Sequence, residues 1–325
     1  MKWSERTNTI GLEGVSHLLA LIYMTEAVDK PLGALIVGPP GTGKSMILTK
    51  LKYEKAIIVN DITGRGLEDL LRDMGRQISG FVVIPDLLKV IARRQSADSF
   101  FFLMNILLEE GLTKIQRYDI KIEFPEPLRF GMITAITTEQ FRHRRRSFEG
   151  SGFLSRNLLI SYSYSRQVQE KIQRRMIRGE MPREYLIVAP ESRIPDMTPE
   201  VEEAIERLAK LLASARGDGF VFRATNQIKS LIIAQGLLDR VEKLTVEQAF
   251  EVACVIPFLL GDRYRAEGLG AANDEDYFTM RHLYLREPLP KEFQHIDIER
   301  QAERLKKVGV LVETLNGGYK IGGGT

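Results

Sequence analysis

The chain has 325 residues, 44% of them apolar and 27% charged, with a formal net charge of +3 and one cysteine, Cys254. That balance excludes a wholly disordered, collagen-like or disulfide-framework protein, and the length predicts two or three domains. No stretch approaches the ~18 uncharged apolar residues of a membrane span, and residues 1–9 lack the apolar core of a secretory signal, so we expect a cytoplasmic protein with no membrane partner.

In chain order, the first strong signal is the apolar run Ala34-Leu35-Ile36-Val37, followed by Gly38-Pro39-Pro40-Gly41-Thr42-Gly43-Lys44-Ser45 and the helix-like Met46-Ile47-Leu48. This is a phosphate-loop motif between a strand signal and a helix signal. Gly38, Gly41 and Gly43 let the backbone turn its N–H groups toward phosphate oxygens, and the loop feeds a helix N-terminus that favours an anion. Lys44 is expected to reach the β- and γ-phosphates and Ser45 to ligate Mg²⁺. The expected cofactors are therefore ATP and Mg²⁺, held by residues 38–46.

Three more buried-strand signals follow: Ala56-Ile57-Ile58-Val59, Phe81-Val82-Val83-Ile84 and Gly131-Met132-Ile133-Thr134-Ala135-Ile136. Short apolar strands alternating with helical stretches imply an α/β fold, a doubly wound parallel sheet with helices on both faces. Ligands sit at the carboxyl ends of such strands, which places Asp86 and Thr137 beside the phosphates, with Asp86 a candidate metal ligand. Between the last two strands, Lys114 to Phe124 alternates in strand fashion around a turn, carrying Lys114, Arg117 and Lys121. Arg142-His143-Arg144-Arg145-Arg146 then opens a segment, Arg142 to Arg178, that sums to +8 while the rest of the chain sums to −5. Such a segment suits a polyanion or a subunit interface, or is a solvated helical face.

The C-terminal half reads as helices. Thr198 caps a helix with Pro199 at its first position, Phe222-Arg223-Ala224-Thr225 opens a second, and Thr245-Val246-Glu247-Gln248 is a capping box for a third. Residues 296–305 read as a further helix. Two strands at 308–313 and 318–321 follow, joined by an Asn316-Gly317 turn. A helix leading into such a hairpin resembles a winged-helix domain, which binds DNA in some proteins and other proteins elsewhere.

Taken together, the phosphate loop, the strand ending in Pro85-Asp86, the strand ending in Thr137-Thr138 and then Gly152-Phe153-Leu154-Ser155-Arg156 resemble the AAA+ ATPases, nearest the MCM-like and MoxR-like branches. The resemblance implies residues 1–178 as the nucleotide-binding domain, 179–262 as a helical lid and 263–325 as a winged-helix-like domain. It implies a homo-oligomer, a ring or spiral typified by the hexamer, in which Arg156 reaches a neighbour's nucleotide. Thr137 would be the first sensor and Arg223, in the lid, the second. It also implies that the hairpin bearing Lys114, Arg117 and Lys121 tracks DNA, while Arg144 and Arg145 serve either DNA or the subunit interface.

One part of the pattern is broken. The family ends its third motif with Asp-Glu, whereas this chain has Pro85-Asp86-Leu87. Either Asp86 is the metal-side acid and Leu87 replaces the base, or Asp86 is the base and Pro85 replaces the metal acid. Lys44, Asp86, Thr137, Arg156 and Arg223 are the catalytic candidates, Glu109 and Glu110 weak substitutes for the missing base, and hydrolysis is expected to be slow. Three functions follow: an ATPase acting on DNA, a MoxR-like remodeller of a protein partner contacted through the C-terminal domain, or an ATP-dependent assembly switch with little turnover.

Overall fold

The computed structural model describes residues 6–7, 9–73, 79–92, 94–116, 121–189, 193–313 and 319–322. The chain divides into two compact units. A sheet unit spans Thr25–Leu159 with Leu186–Ala189, and a helical unit is built from Met1–Met24, Ile160–Tyr185 and Pro190–Thr325.

The sheet unit is α/β. Its strands are β1 (Gly33–Gly38), β2 (Leu51–Tyr53), β3 (Ala56–Ile58), β4 (Ser79–Ile84), β5 (Leu112–Gln116), β6 (Lys121–Thr137) and β7 (Asn157–Ser161), and β8 (Tyr185–Ile187) pairs with β2. The central sheet runs β3-β4-β6-β1-β7, with β5 added antiparallel to β6. Its β1–β6, β4–β6 and β3–β4 pairs are parallel. The four apolar runs seen in the sequence are thus β1, β3, β4 and β6. All six residues of β1 are buried, as a strand covered on both faces requires. Against the sheet packs the helix Arg94–Glu109, whose Phe101 meets Phe148 and Phe153 with ring centroids 5.5 and 4.8 Å apart.

In the helical unit, Glu13–Met24 is a helix buried at all 12 positions. It packs on the helices Phe222–Asp239, Val246–Val255 and Asp274–Leu285. A helix buried all round belongs in a core, and its N-terminal N–H groups are satisfied from far away in sequence. Glu13 N donates to Asp274 Oδ2 at 2.9 Å and Gly14 N to Asp274 Oδ1 at 3.1 Å. His17 donates from Nε2 to Gln235 Oε1 at 2.7 Å, its Nδ1 lying 3.1 Å from the Tyr277 hydroxyl. Burial holds that ring neutral, pushing its pKa down to about 3.

The expected helices at 199, 222 and 246 are present, and Thr245 with Gln248 forms the capping box. The tail is a helix, Ile298–Lys307, followed by β9 (Leu311–Glu313) and β10 (Tyr319–Ile321), paired antiparallel. That helix spends one face on its own unit: Gln301 Nε2 and Arg304 Nε donate to the buried Asp276 at 2.7 and 3.1 Å. Glu299, Arg300, Glu303 and Lys307 are left exposed, a face of mixed charge. Among the described residues no helix is long and apolar enough to cross a membrane.

Candidate functional site

The phosphate loop lies between β1 and the helix Lys44–Lys50, and two of its glycines are left-handed, Gly41 at φ 76° and Gly43 at φ 80°. A side chain at either would be strained. Pro39, Pro40 and Gly41 are exposed and a Cβ at Gly41 would meet nothing within 4 Å, so the crest of the loop is open. Lys44 is 8% exposed and folds back under the loop, where its Nζ donates to the carbonyls of Gly38 at 2.9 Å and Pro39 at 2.6 Å. Thr42 Oγ1 also donates to Pro39 O, at 2.9 Å. Burial lowers the Lys44 pKa, and the negative charge of Asp86 opposes that shift.

Three adjacent parallel strands bring the other groups to the same edge. In the pairing of β1 with β6, Gly38 stands opposite Thr137, so the loop begins beside the end of β6. On the other flank of β6 lies β4, and Thr134 Oγ1 ties the two by donating to Ile84 O at 2.7 Å. Asp86 follows β4 directly. Ser45 Oγ donates to Pro85 O at 3.0 Å, which seats the Ser45 hydroxyl beside the Pro85-Asp86 turn. Lys44, Ser45, Asp86 and Thr137 are therefore assembled as neighbours, with Met46 following in the helix.

Asp86 and Thr137 each also start a helix. Asp86 Oδ1 accepts from Leu88 N at 3.1 Å and caps Leu87–Ile91, while Thr137 Oγ1 accepts from Gln140 N at 3.4 Å and caps Thr138–Gly150. Pro85 and Leu87 are buried on either side of Asp86, leaving it the one carboxylate at this strand end.

Arg156 closes the short helix Phe153–Arg156 and is folded onto its own chain. Its Nη1 donates to Gly152 O at 3.0 Å, and its Nε lies 3.8 Å from Glu109 Oε2 without a hydrogen bond. Gly152, at φ 70°, permits this, because a Cβ there would collide with the guanidinium. Glu109 is thus occupied beside Arg156. Two positioning groups had no motif to announce them. Asn105 Nδ2 donates to Ser151 O at 2.8 Å, fixing the turn that leads to Arg156, and Thr134 joins β4 to β6. For Asn105 the only available signal was an amide inside an apolar helical run.

The remaining candidates lie on other elements. Lys114 and Lys121 are exposed on β5 and β6, whose register pairs Lys114 with Glu123 and Gln116 with Lys121. Arg117 lies outside the described residues. Arg144 Nη1 donates to Ile91 O at 3.1 Å, while Arg145 pairs with Glu149 at 2.8 Å and covers the Phe141 ring. Arg223, in the helical unit, sits in the first turn of Phe222–Asp239. Among the described residues no group of three or more His, Cys, Asp or Glu could hold a metal ion. A divalent cation here would have Ser45 and Asp86 as protein ligands, hard oxygen donors of the kind Mg²⁺ takes when phosphates complete its shell. No protein-family model and no curated protein sequence matches this chain.

Proposed function

We propose that the chain is a P-loop ATPase of AAA+ type that binds ATP and Mg²⁺ at the loop 38–46 and works as an oligomer on DNA. The observation that carries this reading is the convergence of the open glycine loop, Lys44, Ser45, Asp86 and Thr137 at the ends of three adjacent parallel strands. Bound Mg²⁺ would supply neutralisation of charge on the β- and γ-phosphate oxygens.

This chain's own residues do the rest. Lys44 exchanges two backbone carbonyls for phosphate oxygens, a charge-assisted replacement that costs no new burial of the ammonium. Ser45, whose hydroxyl donates to Pro85 O, and Asp86, next in the chain, are the residues that would hold the cation. Thr137 offers a hydroxyl between the loop and Asp86. Arg156 leaves Gly152 and Glu109 to reach a neighbouring copy's nucleotide, a move eased because its Nε makes no hydrogen bond where it lies. The lid role of Arg223 and the DNA-facing role of Lys114 and Lys121 rest on the resemblance and on the exposure of the two lysines.

A second reading, assembly on ATP with scarcely any hydrolysis, is favoured by buried Leu87 and Pro85 flanking a lone Asp86. A positioned general base is worth ~10²–10⁴ in rate. The two readings separate by experiment. Fluorescent ATP-analogue binding, ATP turnover and sedimentation are measured for wild type, Lys44→Ala and Arg156→Ala. Binding lost in Lys44→Ala, with turnover lost and binding kept in Arg156→Ala, is expected for the ATPase. Nucleotide-driven assembly without turnover in wild type selects the switch, and no binding by wild type rejects both.

A further inference from the structure

In the helical unit a short link, residues 217–221, joins the helix Pro199–Arg216 to the helix Phe222–Asp239. Phe220 in the link and Phe222 at the start of the second helix are 76% and 73% exposed, with Val221 between them at 37%. The two rings stack on each other, their centroids 6.0 Å apart and their planes 8° apart. Leaving two phenyl groups in water forgoes the favourable burial of their apolar area. The exposure is local. Apart from half-buried Leu238, every other large apolar residue of the two helices is buried.

The link is held at both ends. Gly217, left-handed at φ 70°, donates to Ser214 O at 3.3 Å and Asp218 N donates to Ala213 O at 3.0 Å, which seals the first helix. Val221 O accepts from Thr225 N at 2.8 Å and from Thr225 Oγ1 at 3.0 Å, which ties the link to the second. The rings stand on an ordered support, so little backbone ordering remains to be done on binding. Phe222, Asn226 and Lys229 follow at helical spacing along one exposed face. Neither Asn226 nor Lys229 has a partner among the described residues. The first turn of this helix holds no acidic residue. Asp218, the carboxylate nearest to the rings in sequence, acts on Arg216.

From this face we infer a stacking platform for the unpaired bases of single-stranded DNA. Phe220 and Phe222 offer flat apolar faces on which bases of any sequence stack, and their near-parallel planes suit neighbouring bases of one strand. Lys229 meets a backbone phosphate, and Asn226 donates its amide to a base edge or a phosphate. The occupant follows from the shape and charge of the patch. A stable protein interface takes about 20–30 residues from each side, whereas the exposed apolar surface here ends with residues 220–222. A single strand brings flat rings together with its own negative charge, and these match two rings followed by an exposed cation. A duplex hides the faces of its bases inside its stack and cannot use the rings. The inference rests on the DNA reading above and adds the form of the DNA and a site for it apart from the hairpin of β5 and β6.

Fluorescence anisotropy of the full chain tests this with a labelled oligothymidylate, an abasic strand of equal length and a duplex of equal length. The proteins are wild type, F220A/F222A, F220Y/F222Y and K229A. Melting curves confirm folding, and binding of a non-hydrolysable ATP analogue is measured alongside without DNA. Wild type is expected to bind the oligothymidylate at least about tenfold more tightly than the abasic strand, the difference that base stacking supplies. F220A/F222A should lose that preference and keep its affinity for the abasic strand, the duplex and the analogue. F220Y/F222Y retains the ring faces and should retain the preference. K229A should weaken both single strands several-fold and lower the salt slope by about 1. A preference for bases that survives F220A/F222A overturns the platform and leaves the DNA reading standing. Equal binding of the two strands by wild type does the same, since phosphates alone would then carry the DNA. Loss of analogue affinity in F220A/F222A overturns the platform by assigning the rings to the nucleotide. A wild type that binds no DNA overturns both the platform and the DNA reading.

Discussion

Asp86 combines a structural and a chemical role that substitution can separate. As the cap of Leu87–Ile91 it accepts a backbone hydrogen bond, so Asp86→Ala should cost about 1 kcal/mol of stability. Asp86→Asn keeps an acceptor and removes the charge. Its melting temperature should match wild type while ATP turnover falls roughly 10²–10⁴-fold, and turnover that survives would place the acid elsewhere. Asp274 gives a second residue-level test. Burial, reinforced by Glu13 and Asp276, pushes its carboxyl pKa up to about 7, although two backbone N–H groups pull the other way. A raised folded-state pKa means the folded protein holds the proton more tightly than the unfolded chain. This contribution is fully present below pH ~4 and is lost as pH rises through 7. Melting curves from pH 5 to 8 should show wild type losing stability relative to Asp274→Asn, by at most ~1.4 kcal/mol per pH unit. His17 acts in the opposite sense, losing stability as pH falls below its unfolded value, and cancels because both proteins contain it. Of these residues, Lys44, Ser45 and Asp86 were legible because a phosphate loop is contiguous and a strand end is a local signal. The retracted pose of Arg156 was not, since it depends on the left-handed Gly152 and on Glu109, brought up by a different helix.

Among the elements, β6 organises the site, and its placement between β1 and β4 explains why Thr137 falls between the loop and Asp86. Gly131 lies where β6 passes Phe81; a Cβ there would collide with the Phe81 ring and stand 2.8 Å from Leu32 O. Gly131→Ala should therefore lower stability by about 1–3 kcal/mol, read as a fall in melting temperature with weakened nucleotide binding. β1, β4 and the end of β6 could be read from sequence because a strand buried on both faces needs no alternation, and the short, half-buried β3 because it lies in the apolar run Ala56-Ile57-Ile58-Val59. β7 escaped because Asn157 and Ser161 bracket only three apolar residues, immediately after the Leu-Ser-Arg segment. β2 and β8 are three residues each and partly exposed, too short to carry a period. The helices at 199, 222 and 246 declared themselves through their apolar spacing, the third also through its capping box, whereas Thr198 stands at the N-cap of the first without a side-chain capping hydrogen bond. The hairpin of β5 and β6 was legible as alternation, and its register was not.

For the molecule as a whole, the DNA reading predicts that turnover rises with single- or double-stranded DNA and that the stimulation falls steeply with salt, because each phosphate contact releases counterions. K114E/K121E should reduce the stimulation several-fold and leave basal turnover intact; stimulation unchanged in that variant would sever the hairpin from DNA. The sequence announced the glycine loop 38–45 and a helical C-terminal half, but not that the helical unit recruits residues 6–24. Long-range pairing such as Glu13 with Asp274 leaves no local trace. It does set a schedule for biosynthesis. The helix Glu13–Met24 leaves the ribosome about 200 residues before its partner Phe222–Asp239. At ~5–20 residues per second the wait is roughly 10–40 s. Through that interval the nascent chain carries an uncovered greasy cylinder while the sheet unit completes behind it, which makes residues 13–24 a stretch where a chaperone should bind.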